Sequence, residues 1–114
     1  FRGFAVSFDG VSGSGEPVLI ELLRQTTNGG MASAANVKDD PGRQETIQTG
    51  GFKNATVEPT AGDILRYWEV HPQTGYDKSF YDDDEIIIPG GTKLGLRLTA
   101  PANVNVAGHM NIEE

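Results

Sequence analysis

The stretch Lys93-Leu94-Gly95-Leu96-Arg97-Leu98-Thr99 places leucine at every second position, with small or polar residues between. Side chains alternate sides along an extended backbone, so this spacing predicts a strand with one buried face. After Ala100-Pro101-Ala102, residues 103–112 continue the period through Val104, Val106, Gly108, Met110 and Ile112. Two such runs joined by a short proline-containing connection are expected to pair with each other in antiparallel fashion. At the other end of the chain Phe4, Val6 and Phe8 alternate with Ala5 and Ser7, which predicts a third half-buried strand.

Between these ends the punctuation is dense. Residues 16–25 begin with Glu16-Pro17 and carry Leu19, Leu22 and Leu23, which fits one helical face. The run is short, starts with β-branched residues and lies between glycine-rich loops, so the strand reading is preferred. Asn28-Gly29-Gly30 and Asp39-Asp40-Pro41-Gly42 are turn signals. Residues 46–49 and 52–57 read as half-buried strands, and residues 64–70 alternate Ile64, Trp68 and Val70 against Tyr67 and Glu69, with Arg66 an exception on the apolar side. Thr60 and Asp63 offer a helix cap there as the competing reading. A turn about every 8–12 residues in a chain of this kind predicts an all-β fold, a jelly-roll-like sandwich of about eight short antiparallel strands forming one domain over residues 1–114.

Composition narrows the function classes. A chain of 114 residues buries roughly 65% of its unfolded surface, enough for one modest core. Cysteine is absent, which excludes disulfides, thiolate zinc sites and cysteine nucleophiles. The net charge of −7 comes from 16 acidic against 9 scattered basic residues, the opposite of what a phosphate backbone requires, so no nucleic-acid partner is expected. The longest apolar run, Pro17-Val18-Leu19-Ile20, ends at Glu21, far below the ~20 residues needed to span a bilayer as a helix. No membrane partner and no signal-peptide core are expected, and the start at Phe1 suggests a short preceding piece.

The stretch Tyr81-Asp82-Asp83-Asp84-Glu85-Ile86-Ile87-Ile88-Pro89-Gly90-Gly91 sets four acids against three isoleucines. Asp82, Asp83 and Asp84 are the candidate metal ligands, through carboxylate oxygens that suit calcium. Successive side chains of an extended chain diverge, and the spacing of a calcium loop is lacking. A solvated turn leading into a strand buried on both faces, with the acids as gatekeepers, is the preferred reading. His71 in a proline turn and His109, on the face opposite Val106 and Met110, read as two exposed histidines rather than a metal pair. Residues 10–15 contain serines without nucleophile-elbow spacing, and no phosphate loop or catalytic set stands out. Trp68 with Tyr67, Tyr76, Phe80 and Tyr81 offers a sugar-stacking platform, against the simpler reading of Trp68 as core. Asn54-Ala55-Thr56 matches the glycosylation sequon, a frequent chance match.

Glu58-Pro59-Thr60, residues 70–75, residues 89–101 and the ending Asn111-Ile112-Glu113-Glu114 together resemble small virion proteins of tailed bacteriophages, of the capsid-associated or decoration type, over roughly residues 16–114. The resemblance implies an all-β, often jelly-roll, fold, a place on the capsid surface, the major capsid protein as partner and assembly as a homo-oligomer, with a trimer expected. It implies no catalytic residue and no cofactor, so the expectation is a non-enzymatic structural protein. The alternatives are a carbohydrate-binding β-sandwich and a small cupin-like hydrolase or isomerase. The second needs a clustered histidine and carboxylate set that two distant histidines do not supply.

Overall fold

The structure is a computed structural model that describes residues 1–9 and 15–114, apart from the side chain of Asp82. Two strands organise it. In β1 (Gly3–Phe8) the side chains of Phe4, Val6 and Phe8 share one side, and in β2 (Val18–Gln25) Ile20 and Leu22 do the same. β1 is the centre of one antiparallel sheet, between β6 (Tyr76–Ser79) and β8 (Val106–Asn111). β2 is the centre of the other, between β5 (Ala61–Val70) and β7 (Lys93–Thr99). The remaining strands, β3 (Gly30–Ala34) and β4 (Gly51–Val57), pair only with each other.

The inner faces meet in one core. Phe4 and Val6 from the first sheet and Ile20, Leu22 and Val70 from the second are buried together with Phe1 and Phe80. Each such side chain removed from water contributes about 1.5–3 kcal/mol. The fold is therefore all-β, with eight short antiparallel strands and a sandwich-like arrangement of its two larger sheets. The strand reading of residues 16–25 holds, and no helix forms at Thr60.

Several sequence expectations are corrected. β7 and β8 do not pair: β7 hydrogen-bonds β2 and β8 hydrogen-bonds β1. The connection through Pro101 instead carries the chain from one sheet to the other, and periodicity reports faces, not partners. Residues 46–49 form no strand, and β4 is exposed along most of its length. Ile64 lies opposite Leu23, on the outer face, because a register shift at Leu22/Leu23 leaves Leu65 as an extra residue. Such a bulge reverses the facing of everything beyond it. Leu65 sits instead beside Ile86, Ile88 and Leu94.

The isoleucine run is not a strand buried on both faces. After Phe80, whose amide donates to the Arg2 carbonyl at 2.7 Å, residues 82–84 make one 3-10 turn and the chain crosses the end of the sandwich. Ile86 and Ile88 pack onto the core while Ile87 is 80% exposed. The Ile86 carbonyl accepts a hydrogen bond from the Phe1 nitrogen at 2.9 Å, and the Phe1 and Phe80 rings lie 5.7 Å apart. The segment thus alternates like a strand but plugs an end rather than joining a sheet.

β3 and β4 continue the β2–β5 ladder outward. The Thr26 amide donates to the Thr60 carbonyl at 3.0 Å, and the Thr60 amide donates to Thr27 Oγ1 at 2.9 Å. At the root of this hairpin Gly29 adopts φ 58°, where a methyl would overlap the Val57 carbonyl oxygen. Only glycine fits a left-handed backbone against such a close neighbour. The hairpin and its 35–50 loop project from the sandwich, and the molecule measures 46 × 28 × 27 Å.

Candidate interaction surface

The two long sides of the sandwich are closed differently. Between β5 and β6, Trp68 stacks at 5.1 Å from Phe4 and 5.6 Å from Tyr76, so aromatic rings fill the gap between the sheets. Between β7 and β8 no comparable ring is present among the described residues. Leu94, Leu96 and Leu98 face inward from β7 opposite Arg24, Leu22 and Ile20, and are only partly covered. Val106 and Met110 are paired with Phe8 and Phe4 and so share their inward side, yet are 49% and 39% exposed. Among the described residues the result is an apolar seam partly open to solvent, flanked by the edges of two strands that pair with no further strand.

The surface area agrees with this. The chain exposes 7847 Å², whereas a compact monomer of 12.2 kDa exposes roughly 6,100 Å². Its radius of gyration is 14.8 Å against about 13 Å for a chain of this length. Exposed side chains of the hairpin and of the seam contribute to that surplus. Phe52 and Val57 on β4 and Val37 in the loop are exposed apolar side chains of that hairpin.

The outer face of the β5-β2-β7 sheet carries an ion pair. Glu21, buried, lies opposite Arg97 in the β2–β7 register and receives two hydrogen bonds from it, Nε to Oε1 at 3.2 Å and Nη2 to Oε2 at 2.9 Å. The bidentate contact holds the Arg97 pKa above its ordinary value, with burial opposing. Tyr67, opposite Glu21 on β5, is 71% exposed beside the pair. The outer face of the other sheet forms a shallow trough of about 550 Å³ floored by Ala5, Ser7 and Ala107, with Asp77 and His109 on either side of Ala5.

The sites anticipated from sequence are dispersed. Asp83 and Asp84 are exposed in the 3-10 turn, whose Asp84 amide donates to the Tyr81 carbonyl at 2.8 Å. Glu85 turns away to Arg2 at 3.3 Å. Among the described residues no three histidines or carboxylates are grouped to hold a metal ion. His71 organises its own turn, its Nδ1 accepting from the Gln73 amide at 3.2 Å, and His109 faces outward as its parity predicted. Of the aromatic set, Trp68, Tyr76 and Phe80 pack inward, leaving Tyr67 and Tyr81 in solvent. Asn54 is exposed at φ 54° in β4, and Thr56 Oγ1 donates to the Gly30 carbonyl at 2.9 Å. The serine-containing stretch at 10–14 lies outside the described residues.

Two features had only faint signals in the sequence. Glu21 and Arg97 each appear as a lone charge in an apolar run, but nothing local says that they are opposite each other. The Glu114 carboxylate accepts from the Gln48 amide at 3.1 Å and the Thr49 amide at 2.7 Å, clipping the tail to the base of the hairpin loop. Hydrogen bonds from the Thr49 side chain, then from the Gln48 and Thr49 amides, hold its pKa below the usual carboxylate value. Comparison with protein-family models, with curated proteins and with solved structures finds no match.

Proposed function

We propose that this chain is a non-enzymatic structural protein of a virus particle, a sandwich that decorates or reinforces the exterior of a tailed-bacteriophage capsid by binding the major capsid protein. The observation that carries the reading is the surplus accessible surface, to which the β3–β4 hairpin and the partly open apolar seam contribute exposed apolar side chains. A monomeric enzyme gains nothing from such surface, whereas a protein seated in a repeated lattice covers it against neighbours and multiplies weak contacts by avidity. The resemblance of residues 58–60, 70–75, 89–101 and 111–114 to decoration-type virion proteins points the same way, and a jelly-roll relationship and a trimeric state belong to this proposal. The acidic surface suits a basic patch on the shell, which makes binding weaken as salt rises.

The test is incubation of purified capsids with the protein, followed by cryo-EM. Stoichiometric density at symmetry-related positions is the expected result, and absence of binding to capsids of any candidate host phage overturns the proposal. A carbohydrate-binding role would rest on Tyr67 and Tyr81, since Trp68 is engaged by Phe4 and Tyr76. Glycan binding lost on Tyr67→Ala would establish that alternative.

A further inference from the structure

We infer that the open β7–β8 seam is the docking site for the β3–β4 hairpin of a second copy of this chain. This stands on the geometry alone and does not depend on a capsid partner. The seam presents Leu94, Leu96 and Leu98, partly buried against the core, from one sheet and the more exposed Val106 and Met110 from the other, all on the inward side. Among the described residues β8 and β7 end their sheets, so each also offers an edge that pairs with no further strand. An extended strand entering there satisfies the backbone and covers the side chains at once.

The hairpin is the matching piece. Its strands contact each other and no other strand extensively among the described residues, and an isolated two-stranded ribbon is marginal in water. It exposes Phe52 and Val57, and its strands of five and seven residues are comparable to the seven and six of β7 and β8. Its root is held to the β2–β5 side by the Thr26–Thr60 hydrogen bond, with β5 at the edge opposite β7, and its loop is held by Glu114. Entry of another molecule's hairpin leaves both contacts in place.

Charge selects the same occupant. Residues 30–57 carry Lys38, Arg43 and Lys53 against Asp39, Asp40 and Glu45, so the whole net charge of −7 lies on the rest of the chain. A neutral hairpin approaches an acidic sandwich without the repulsion that two sandwich faces would suffer. The chain exposes roughly 1,700 Å² more than a compact monomer, of which the seam and the hairpin hold a part, and a standard stable interface covers ~800 Å² per partner.

The absence of native cysteine makes the test clean. Full-length Phe52→Cys and Met110→Cys proteins are mixed and treated with a short bis-maleimide, with Tyr67→Cys, on an outer face, replacing Phe52→Cys in the control mixture. Docking raises the local thiol concentration to the millimolar range, so cross-linked heterodimer should exceed the control by roughly tenfold at micromolar protein. Adding Phe52→Asp and Val57→Asp to a Val37→Cys hairpin should abolish cross-linking to Met110→Cys, while an unchanged near-ultraviolet spectrum shows the sandwich intact. Equal yields in test and control mixtures, or cross-linking that survives both aspartates, overturn the inference and leave capsid binding to its own test.

Discussion

Glu21 is a buried carboxylate whose two oxygens are both satisfied by Arg97, the latter remaining about a third exposed. Its worth lies less in attraction than in what is left when one partner is removed. Arg97→Met strands a buried charge and should lower unfolding free energy by about 1–3 kcal/mol in urea denaturation, at the lower end because water reaches the pair. The double variant Glu21→Leu/Arg97→Leu should recover most of that loss, as apolar replacements of buried pairs do. The acidic turn is predicted to behave oppositely. Asp83 and Asp84 are exposed, so Asp83→Asn/Asp84→Asn should change stability by under about 0.5 kcal/mol, and calcium should leave the melting temperature of the native protein unchanged. At this scale the sequence showed which residues carry charge in apolar runs, but cross-strand register, which makes Glu21 and Arg97 a pair, arises only from tertiary pairing.

At the scale of elements, the alternation of β1 and β7 was legible because each turns one apolar face to the core, whereas β2, buried on both faces, read as an ambiguous run in which the strand was only preferred. What periodicity missed were the places where a segment leaves its sheet. The run 86–88 reads as a doubly buried strand from composition, yet it spans the end of the sandwich with no ladder. Ile86→Ala or Ile88→Ala should therefore cost about 1–2 kcal/mol for a half-buried side chain, whereas Ile87→Lys should be nearly neutral; equal losses at all three would restore the strand reading. Residues 52–57 read as a half-buried strand, while its partner β3 lies in a small-residue stretch between turn signals that gave no strand reading, and nothing local reveals that β4 is largely exposed. Its attachment to the tail is pH-dependent. Glu114 has a folded pKa below its ordinary 4.5, so the clip contributes fully above that value and is lost as pH falls through the depressed folded one. Amide hydrogen exchange at Thr49, referred to its intrinsic rate, should lose protection as pH falls through that depressed pKa and lose it at all pH in Glu114→Gln.

Across the whole molecule, one side of the sandwich is sealed by Phe4, Trp68 and Tyr76 while the other is partly open among the described residues, and the β3–β4 hairpin is rooted on the β2–β5 strands. Fold class was legible from turns and alternation, since these are local. Openness was not, because it depends on which strands end the sheets. On the proposed reading, assembly completes a sandwich with a partly open side and a neutral hairpin, which would link the proposed place in a repeated shell to the absence of disulfides and the modest core. The most direct test is sedimentation equilibrium of the full chain at neutral pH. A mass that is an integral multiple of 12.2 kDa, reduced to the monomer by Phe52→Asp/Val57→Asp, is the predicted result. A mass of 12.2 kDa at every attainable concentration would contradict it.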